Sequence, residues 1–511
     1  MVSFLYRYYR YEFRGDTMAS KRIPDIISRF RPGPCTEIKE IGGHYYVYMY
    51  SSVLLPSGKW GKKTGKTIGT IVPEKGFLPN KNYGLYQEDY GLQQEDLTVL
   101  EYGQYALVYE LAKDIRAALE KHFPLDRANQ IFSYACVLFV NGFTHVDQVR
   151  SYYEQSWLAW ENRNFAFKMG KTALGSMLDD LGRRTTRVTN YEKSGITKCS
   201  TMAIDGHAIR SCSEENDLGE TGYKFCALKE DQVNLLMGYD AVGGMPLFAR
   251  IYRGSCNDSS TIPDLFDLLR FTGILFVVDR GFYSAENLKL FSENDNSYII
   301  PVPGTTKVFK EAMTGVKYTD SFYYRSGRKH TRVEYMERRI SETEFVYIFR
   351  DVEENEKCRF NYLHSIDLGK NGYTIEKFEQ NKEFFGVYVL QSNSGLSAEQ
   401  IFAGYKKRWG IETFYQYLKN KGDFNDLMFQ DYYKEQGFSF IMLIAGQIHQ
   451  TMLSAVKALN NNTISLDDIL LMARFMKMER RGNVWNLKNA RKKELAILQQ
   501  LGFEPNYSAP V

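Results

Sequence analysis

Three acidic residues stand where short sequence patterns predict that their side chains can meet. Asp205 follows the apolar run TMAI, and Asp279 follows the apolar run LFVV, so each is predicted to end a strand. Open α/β sheets hold their ligand sites at the carboxyl ends of strands. Either aspartate alone is more typical of a strand-terminal turn. Glu412 lies in a later helical segment, and the three acids together favour a shared site.

The helical segment around Glu412 carries polar side chains on one face. At about 100° per residue, a stripe about 60° wide holds four of them: Tyr405, Arg408, Glu412 and Lys419. Apolar residues occupy the opposite side: Ile411, Phe414 and Leu418. A solvated, salt-bridged face is the common alternative for such a stripe. An acid that can meet two strand-end aspartates favours a functional site instead.

Carboxylates that converge without His or Cys ligands favour the hard cations Mg²⁺ and Mn²⁺. Two such ions, about 3.5 to 4 Å apart, can activate a water or a 3′-hydroxyl and stabilise the leaving oxygen of an in-line phosphoryl transfer. We therefore predict Asp205, Asp279 and Glu412 as metal ligands and catalytic residues. Arg408 and Lys419 would then contact phosphate, and Arg can do so with two parallel hydrogen bonds.

The spacing of this stripe resembles the Y-(2)-R-(3)-E-(6)-K signature of the insertion-sequence-4-type DDE transposases. Four residues match it position for position: Tyr405, Arg408, Glu412 and Lys419. The phrase VVDRGFYSAENL around Asp279 resembles the second-aspartate motif of that family, and YDAVGGMPLFARIYRGSCNDSSTI resembles its hairpin before the first sheet helix. The resemblance covers roughly residues 200–303 and 397–450.

This resemblance implies a ribonuclease-H-like catalytic fold that a β-rich insertion interrupts before the glutamate. It implies an enzyme that binds terminal inverted repeats, cuts transposon ends with a divalent metal and joins them to target DNA. In relatives, the signature Tyr and Arg handle the DNA strand near the cleavage site and the Lys contacts phosphate. We expect these roles for Tyr405, Arg408 and Lys419. Two ends must be cut together, which predicts at least a homodimer on DNA.

One departure from the family concerns tryptophan. Relatives that form a DNA hairpin stack a flipped base on a Trp of the insertion. All five tryptophans of this chain lie outside it: Trp60, Trp157, Trp160, Trp409 and Trp485. Phe322, Tyr323 or Tyr324 are alternatives, although aromatic residues in strands are usually core. A hairpin route is therefore not predicted, whereas metal-dependent cutting is.

The wider pattern predicts a multidomain α/β protein. Between residues 198 and 303, apolar runs alternate with helical stretches around a tight VGGMP hairpin, as in a mixed sheet. The predicted order is a basic β-rich segment (1–95), a helical DNA-binding domain (96–195), a first catalytic part (196–303), a β-rich insertion (304–396), a second catalytic part (397–460) and a basic C-terminal helical region (461–511).

Positive charge is concentrated at the two ends of the chain. Residues 1–90 carry 14 Lys and Arg against 8 Asp and Glu, and residues 471–500 carry 8 against 2. This distribution suits a polyanion, although ordinary surfaces also show it. Lys62 and Lys63, in a predicted turn near Trp60, are candidate DNA contacts, and so is Arg280 beside Asp279. A solvated hairpin tip and a simple ion pair are the respective alternatives.

Several classes of protein are disfavoured. The apolar stretch around Phe438 is too short for a membrane span and predicts a buried helix. The leader before Met18 lacks the apolar block of a signal peptide. Seven cysteines without a CxxC pair disfavour a zinc site or a disulfide framework and favour a cytoplasmic location. The GKKTGKT run precedes a strand-like segment, unlike a P-loop.

Two other functions remain open at this point. One is a transposase-derived protein that binds DNA without cutting it. The retained acids and basic residues of the signature count against this alternative. The other is a ribonuclease-H-like nuclease that acts on structured DNA or RNA without joining 3′ ends.

Overall fold

The computed structural model describes most of the 511-residue chain. The described residues are 23–28, 30–33, 35–54, 60–73, 75–86, 98–211, 213, 215–327, 329–422, 426–427, 429–459, 461, 463–481, 484–505 and 508–510. The leader before Met18 lies outside them. The chain divides into two compact units. One is Met1–Thr98 with Arg480–Trp485 and Pro510–Val511, and the other is Val99–Glu479 with Asn486–Ala509.

The first unit contains an antiparallel meander, as the sequence predicted. Its elements are α1 Asp25–Ser28, β1 Thr36–Ile41, β2 His44–Leu54, β3 Trp60–Val72, β4 Gly76–Pro79 and α2 Tyr83–Tyr86. The strands pair in the order β1-β2-β3-β4. Alternate residues point to opposite faces, so β2 and β3 bury one apolar face. Its core residues are Ile27, Val47, Ile68, Ile71 and Tyr86.

The prediction of a basic turn around Lys62 and Lys63 is wrong. Lys62 and Lys63 lie within β3, paired with Ser52 and Ser51 of β2. The run WGKKTGKTIGTIV therefore continues as a strand, because backbone pairing with β2 holds its glycines in an extended conformation. Two further lysines belonged to the predicted turn: Lys66 lies in β3, and Lys59 lies outside the described residues.

The second unit begins with the predicted helical region. Its elements are β5 Thr98–Glu101, α3 Gly103–Leu111, α4 Lys113–His122, α5 Leu125–Asn141, α6 Val146–Gln155, α7 Trp157–Glu161, α8 Lys171–Arg183 and α9 Thr185–Ile196. Most of α5 is buried, which fits its apolar run SYACVLFV. Helices cover most of residues 104–187, so the predicted helical character of this region is confirmed.

A large mixed sheet follows. Its strands are β6 Thr201–Ser211, β7 Glu220–Thr221, β8 Asp231–Asp240, β9 Met245–Arg253, β10 Leu275–Val278, β11 Ser297–Pro301, β12 Asp320–Ser326, β13 Lys329–Arg339, β14 Phe345–Asp351, β15 Val387–Ser392 and β16 Asp426–Leu427. The order is β12-β13-β14-β15-β11-β10-β6-β8-β7, with β9 paired to β8 and β16 to β6. Strand β10 is parallel to β6 and to β11, whereas β8 is antiparallel to β6 and to β9.

Helices accompany this sheet and complete the chain. They are α10 Asp258–Leu269, α11 Ala285–Leu290, α12 Lys307–Met313, α13 Val352–Asp367, α14 Ile375–Asn381, α15 Ala398–Lys407, α16 Trp409–Gly422, α17 Tyr432–Ala458, α18 Leu466–Arg474 and α19 Lys492–Gln500. The remaining strands are β17 Lys477–Arg481, β18 Val484–Lys488 and β19 Ser508–Pro510. The sequence predicted a helical C-terminal region, but the described part of this region also contains three strands.

The centre of the sheet is covered on both faces. Phe276 and Val278 of β10 enter one core with Phe266 of α10, while Val277 enters a second core with Phe402 of α15. Consecutive side chains of a strand point to opposite faces, so the continuous apolar run LFVV supplies both cores. This packing fixes where β10 ends and thus where Asp279 lies.

The predicted β-rich character of residues 304–396 is confirmed by four strands, β12 to β15. They extend the large sheet, because β15 pairs with both β14 and β11. The sequence prediction missed the 16-residue helix α13 in this segment. The domain boundaries themselves stay a prediction.

Helix α17 is long and apolar enough by composition to cross a membrane, but 78% of its most apolar window is buried inside the protein. It packs against α5, α8 and β9. Close approach to α8 depends on Gly182 and Gly437, where a Cβ atom would lie within 2.0 Å of backbone carbonyl oxygens across the contact. The prediction of a buried helix around Phe438 is confirmed.

Candidate active site

The register of two parallel strands brings the two aspartates side by side. Ile204 of β6 pairs with Val278 of β10, and Asp205 and Asp279 are the next residues along each strand. Asp279 follows the last residue of β10, as predicted. Asp205 does not end its strand, because β6 continues to Ser211 by pairing with β8. Ending β10 before β6 leaves Asp205 beside an open sheet edge.

The third acid reaches this point from a helix. Arg408 Nη2 lies 2.5 Å from Glu412 Oε1, and Arg408 Nη1 lies 3.9 Å from Asp205 Oδ2. The Arg408 side chain is only 11% exposed. One buried guanidinium therefore bridges an acid of β6 and an acid of α16.

Arg408 also marks a break in the predicted single helix. The chain forms α15 up to Lys407 and starts α16 at Trp409, although Arg408 itself keeps right-handed helical angles. The stripe therefore keeps its predicted direction. Its apolar side is buried as expected, in the residues Ile411, Phe414 and Leu418.

Negative charge is crowded around Asp205. Burial, together with the charges of Asp279 and Asp258, raises the pKa of Asp205 to about 7 against the opposing effect of Arg408. Burial and the Asp279 charge likewise raise the pKa of Asp258. Like charges in a poorly solvated place favour proton or cation binding.

Asp258 is an acid of this site that the sequence reasoning did not select. It is the first residue of α10, and a Cβ atom on Gly206 would lie 2.3 Å from its Oδ1 atom. Gly206 follows Asp205, so the carboxylate of Asp258 packs directly on β6. The sequence did contain a signal, because Asp258 lies in the segment YDAVGGMPLFARIYRGSCNDSSTI that resembles the family.

Two rings support β6 next to Asp205. The Tyr415 hydroxyl of α16 donates a 2.8 Å hydrogen bond to the Asp205 carbonyl oxygen. The ring centroid of His207 lies 5.1 Å from that of Tyr415. Burial and the charges of Lys224 and Lys419 lower the pKa of His207 to about 3, so this imidazole is neutral at physiological pH.

A groove opens beside the acids. It has a volume of about 610 Å³ and lies between β12, β13, α13 and the junction of α15 and α16. Tyr405 and Arg408 line it, together with Tyr324, Lys329 and Trp409. Trp409 is 63% exposed, so an aromatic ring from outside the insertion faces the same groove as residues of β12 and β13.

The other predicted contacts fall in different places. Lys419 of α16 is half-buried and lies close enough to His207 and Lys224 for its charge to lower the pKa of both. Arg280 is exposed in a short 3-10 helix directly after Asp279. Lys224, whose Nζ donates to the Ala208 carbonyl oxygen at 3.3 Å, was not predicted.

Lys62 is held within the first unit. Its Nζ lies 2.6 Å from Glu37 Oε2 and 4.1 Å from the ring centroid of Tyr50. Burial opposes ionisation of Glu37, but hydrogen bonds from Lys62, Thr64 and Lys39 lower its pKa to about 2. Lys63 is exposed on the same strand. The charge of Lys62 is thus partly neutralised, while that of Lys63 faces solvent.

The carboxylate oxygens of the candidate site are the type of ligand that a hard divalent cation prefers. Asp205, Asp279 and Glu412 would hold it, and the crowded charge that raises the pKa of Asp205 is the charge that such a cation relieves. No preformed metal cluster of three or more His, Cys, Asp or Glu occurs in the described part of the chain. Here the Arg408 guanidinium balances two of the acids.

The residues of this site lie within a segment that matches a known family model. Residues 197–445 match the family model of the transposase DDE domain, which supports a DDE transposase family and a transposase function. No significant match was found among curated protein sequences. A solved piggyBac transposase synaptic complex with hairpin DNA is 10% identical over 69% of this chain and 71% of that chain, with a TM-score of 0.36. A TM-score this low does not establish a shared fold.

Proposed function

We propose that the chain is the transposase of an insertion sequence of the insertion-sequence-4 type, which cuts its terminal inverted repeats and joins the freed ends to target DNA. The observation that carries this proposal is that two side-by-side aspartates and a helical glutamate lie around one arginine. The pairing of Ile204 with Val278 in neighbouring parallel strands places Asp205 beside Asp279, and Arg408 links Asp205 to Glu412.

The central strands support a ribonuclease-H-like fold for this site. Strands β6, β8 and β9 form a consecutive antiparallel run, and β10 and β11 continue on the other side of β6 as parallel strands. The chain then passes through β12 to β15 before it reaches α16 with Glu412. This order supports the proposal that an insertion precedes the glutamate.

The roles of the acids follow from their positions. Asp205, Asp279 and Glu412 would bind two Mg²⁺ or Mn²⁺ ions, which supply activation of a water or 3′-hydroxyl and stabilisation of the leaving oxygen. Asp205 is held in place by the Tyr415 hydrogen bond to its carbonyl oxygen and by pairing on both sides of β6. No covalent enzyme intermediate is needed, so no protein nucleophile is assigned.

The groove beside the acids is the proposed path of the cut DNA strand. Tyr405 and Arg408 line it, and Arg408 can grip a phosphate with two hydrogen bonds. The exposed Arg280, which follows Asp279, and Lys419, whose charge acts on His207, are proposed phosphate contacts. In the first unit, exposed Lys63 is a better candidate for a DNA contact than Lys62, which is bound to Glu37.

The proposal extends to assembly and location. Paired cutting of two ends requires two active sites, so we expect a homodimer on double-stranded DNA. We expect it to act in the cytoplasm of a prokaryote, associated with the nucleoid. Both statements follow from the reaction and from the family resemblance.

Cleavage of labelled DNA that carries the flanking inverted repeats of the element tests the proposal. Wild type and Glu412→Gln are compared with Mg²⁺, Mn²⁺ and EDTA. Glu399→Gln is the matched control, because Glu399 is an exposed acid on the neighbouring helix α15. We expect metal-dependent nicking at the repeat ends in the wild type and the control, and a loss of at least about 100-fold in Glu412→Gln.

Other outcomes identify the alternatives. Binding of the repeats by the wild type without cutting in either metal would leave a non-catalytic DNA-binding protein. Cutting without end preference and without joining of 3′ ends would indicate a nuclease. Equal cutting by wild type and Glu412→Gln would remove Glu412 from the site.

A further inference from the structure

The guanidinium of Arg408 lies between two carboxylates of the candidate site, Asp205 and Glu412. It contacts Glu412 at 2.5 Å and Asp205 at 3.9 Å while it is 11% exposed. The two acids are themselves 28% and 19% exposed at the side chain. Solvent therefore screens these contacts incompletely. Among the described residues, Arg408 is the cation that forms an ion pair with both acids.

The same arginine borders a second environment. Its Cζ atom lies 5.8 Å from the ring centroid of Tyr405, and both residues line the groove. A side chain that rotates away from the acids would therefore remain in the groove beside Tyr405. Arginine is suited to both positions, since its planar fork binds carboxylate and phosphate equally well.

We propose that Arg408 is an internal counter-ion that competes with divalent metal for Asp205 and Glu412, so that metal binding releases its guanidinium to a DNA phosphate in the groove. This inference rests on the proposed function of the three acids. The same carboxylate oxygens cannot serve both cations fully, and the two cations repel each other at this distance. By linkage, a metal that weakens the Arg408 contacts is itself bound more weakly while they persist.

The measurement is Mn²⁺ affinity of the full chain without DNA, by calorimetry or by the electron paramagnetic resonance of free Mn²⁺. Arg408→Gln removes the competing charge and keeps a polar side chain of similar length. We expect it to bind Mn²⁺ about tenfold more tightly than the wild type. Arg280→Gln is the matched control, because it removes an exposed arginine next to Asp279 that bridges no acids, and we expect a change below about twofold.

Thermal unfolding shows whether Arg408→Gln is folded. Arg408→Gln should unfold at a lower temperature than the wild type in EDTA, and Mn²⁺ should raise its unfolding temperature by more than it raises that of the wild type. Should Arg408→Gln fail to fold, Arg408→Lys keeps a charge without the planar fork and should bind Mn²⁺ with an affinity above that of the wild type.

Two controls separate this inference from the proposed function. Weaker Mn²⁺ binding by Glu412→Gln, combined with equal or weaker binding by Arg408→Gln, would refute the competition while leaving the metal site intact. Absence of Mn²⁺ binding in the wild type, in Glu412→Gln and in Arg408→Gln would refute both. Tighter binding by Arg408→Gln and Arg280→Gln alike would also refute it, since general electrostatics would then suffice.

Discussion

Glu435 is a buried carboxyl whose ionisation should destabilise the protein. It lies in the first turn of α17 and is 0% exposed. Asn216 Nδ2 donates to its Oε1 at 2.5 Å, whereas Oε2 has no hydrogen-bond partner in the described structure. Burial raises the pKa of Glu435 to about 8, with further contributions from the charges of Asp217 and Asp431, against the opposing effect of Asn216.

The sign of the pH dependence follows from this direction. The folded protein keeps the Glu435 proton between the ordinary pKa of 4.5 and about 8, whereas the unfolded chain releases it. The free energy of unfolding should therefore fall as pH rises through this range and level off above about pH 8. From about pH 6 to 8 the loss is about 1.4 kcal/mol per unit, or at most about 3 kcal/mol.

The perturbation is Glu435→Gln, which imitates the protonated acid and can still accept from Asn216. Urea unfolding of the full chain, at several pH values from about 6 to 9, gives the difference in stability between the two proteins. We expect the stability advantage of Glu435→Gln over the wild type to grow by up to about 3 kcal/mol from about pH 6 to pH 8 and to stay constant above that. Glu399→Gln, at an exposed acid, should follow the wild-type profile. Parallel profiles for wild type and Glu435→Gln would refute the reasoning.

The remaining predictions concern glycines at close contacts. Gly206→Ala places a Cβ atom 2.3 Å from Asp258 Oδ1, so we expect repeat-end cleavage to fall by about 100-fold, and an unchanged rate would contradict the packing of Asp258 on β6. Gly437→Ala places a Cβ atom 2.0 Å from the Leu178 carbonyl oxygen and should cost about 1–3 kcal/mol in urea unfolding. Gly175→Ala, at open space on α8, should instead stabilise by up to about 1 kcal/mol, and equal effects of the last two would argue against close packing of α8 on α17.

Local patterns predicted the elements best where burial and periodicity agree. The run LFVV was predicted as a strand over the same residues that β10 occupies, because four consecutive apolar residues fit a strand buried on both faces. The helices of residues 104 to 187 followed from their periodicity in the same way. Glu412 was placed on the correct face of its helix, since the opposite face is apolar and buried.

Predictions failed where a distant partner decides the outcome. The run containing Lys62 and Lys63 has the glycines and polar residues of a turn, yet pairing with β2 keeps it extended. Asp205 has the sequence context of a strand end, yet β8 pairs with β6 beyond it. In both cases hydrogen bonds to a neighbouring strand override the local preference.

The sequence by itself determined which residues are candidates for the chemistry. Their types and the spacing of Tyr405, Arg408, Glu412 and Lys419 are local properties, because helical periodicity alone places them on one face. Only the tertiary structure decided what surrounds them. Strand register set Asp205 beside Asp279, and chain segments far apart in sequence brought Asp258 against Gly206 and the Arg408 guanidinium between two acids. Such charge balance depends on distances across the fold, which no spacing along the chain encodes.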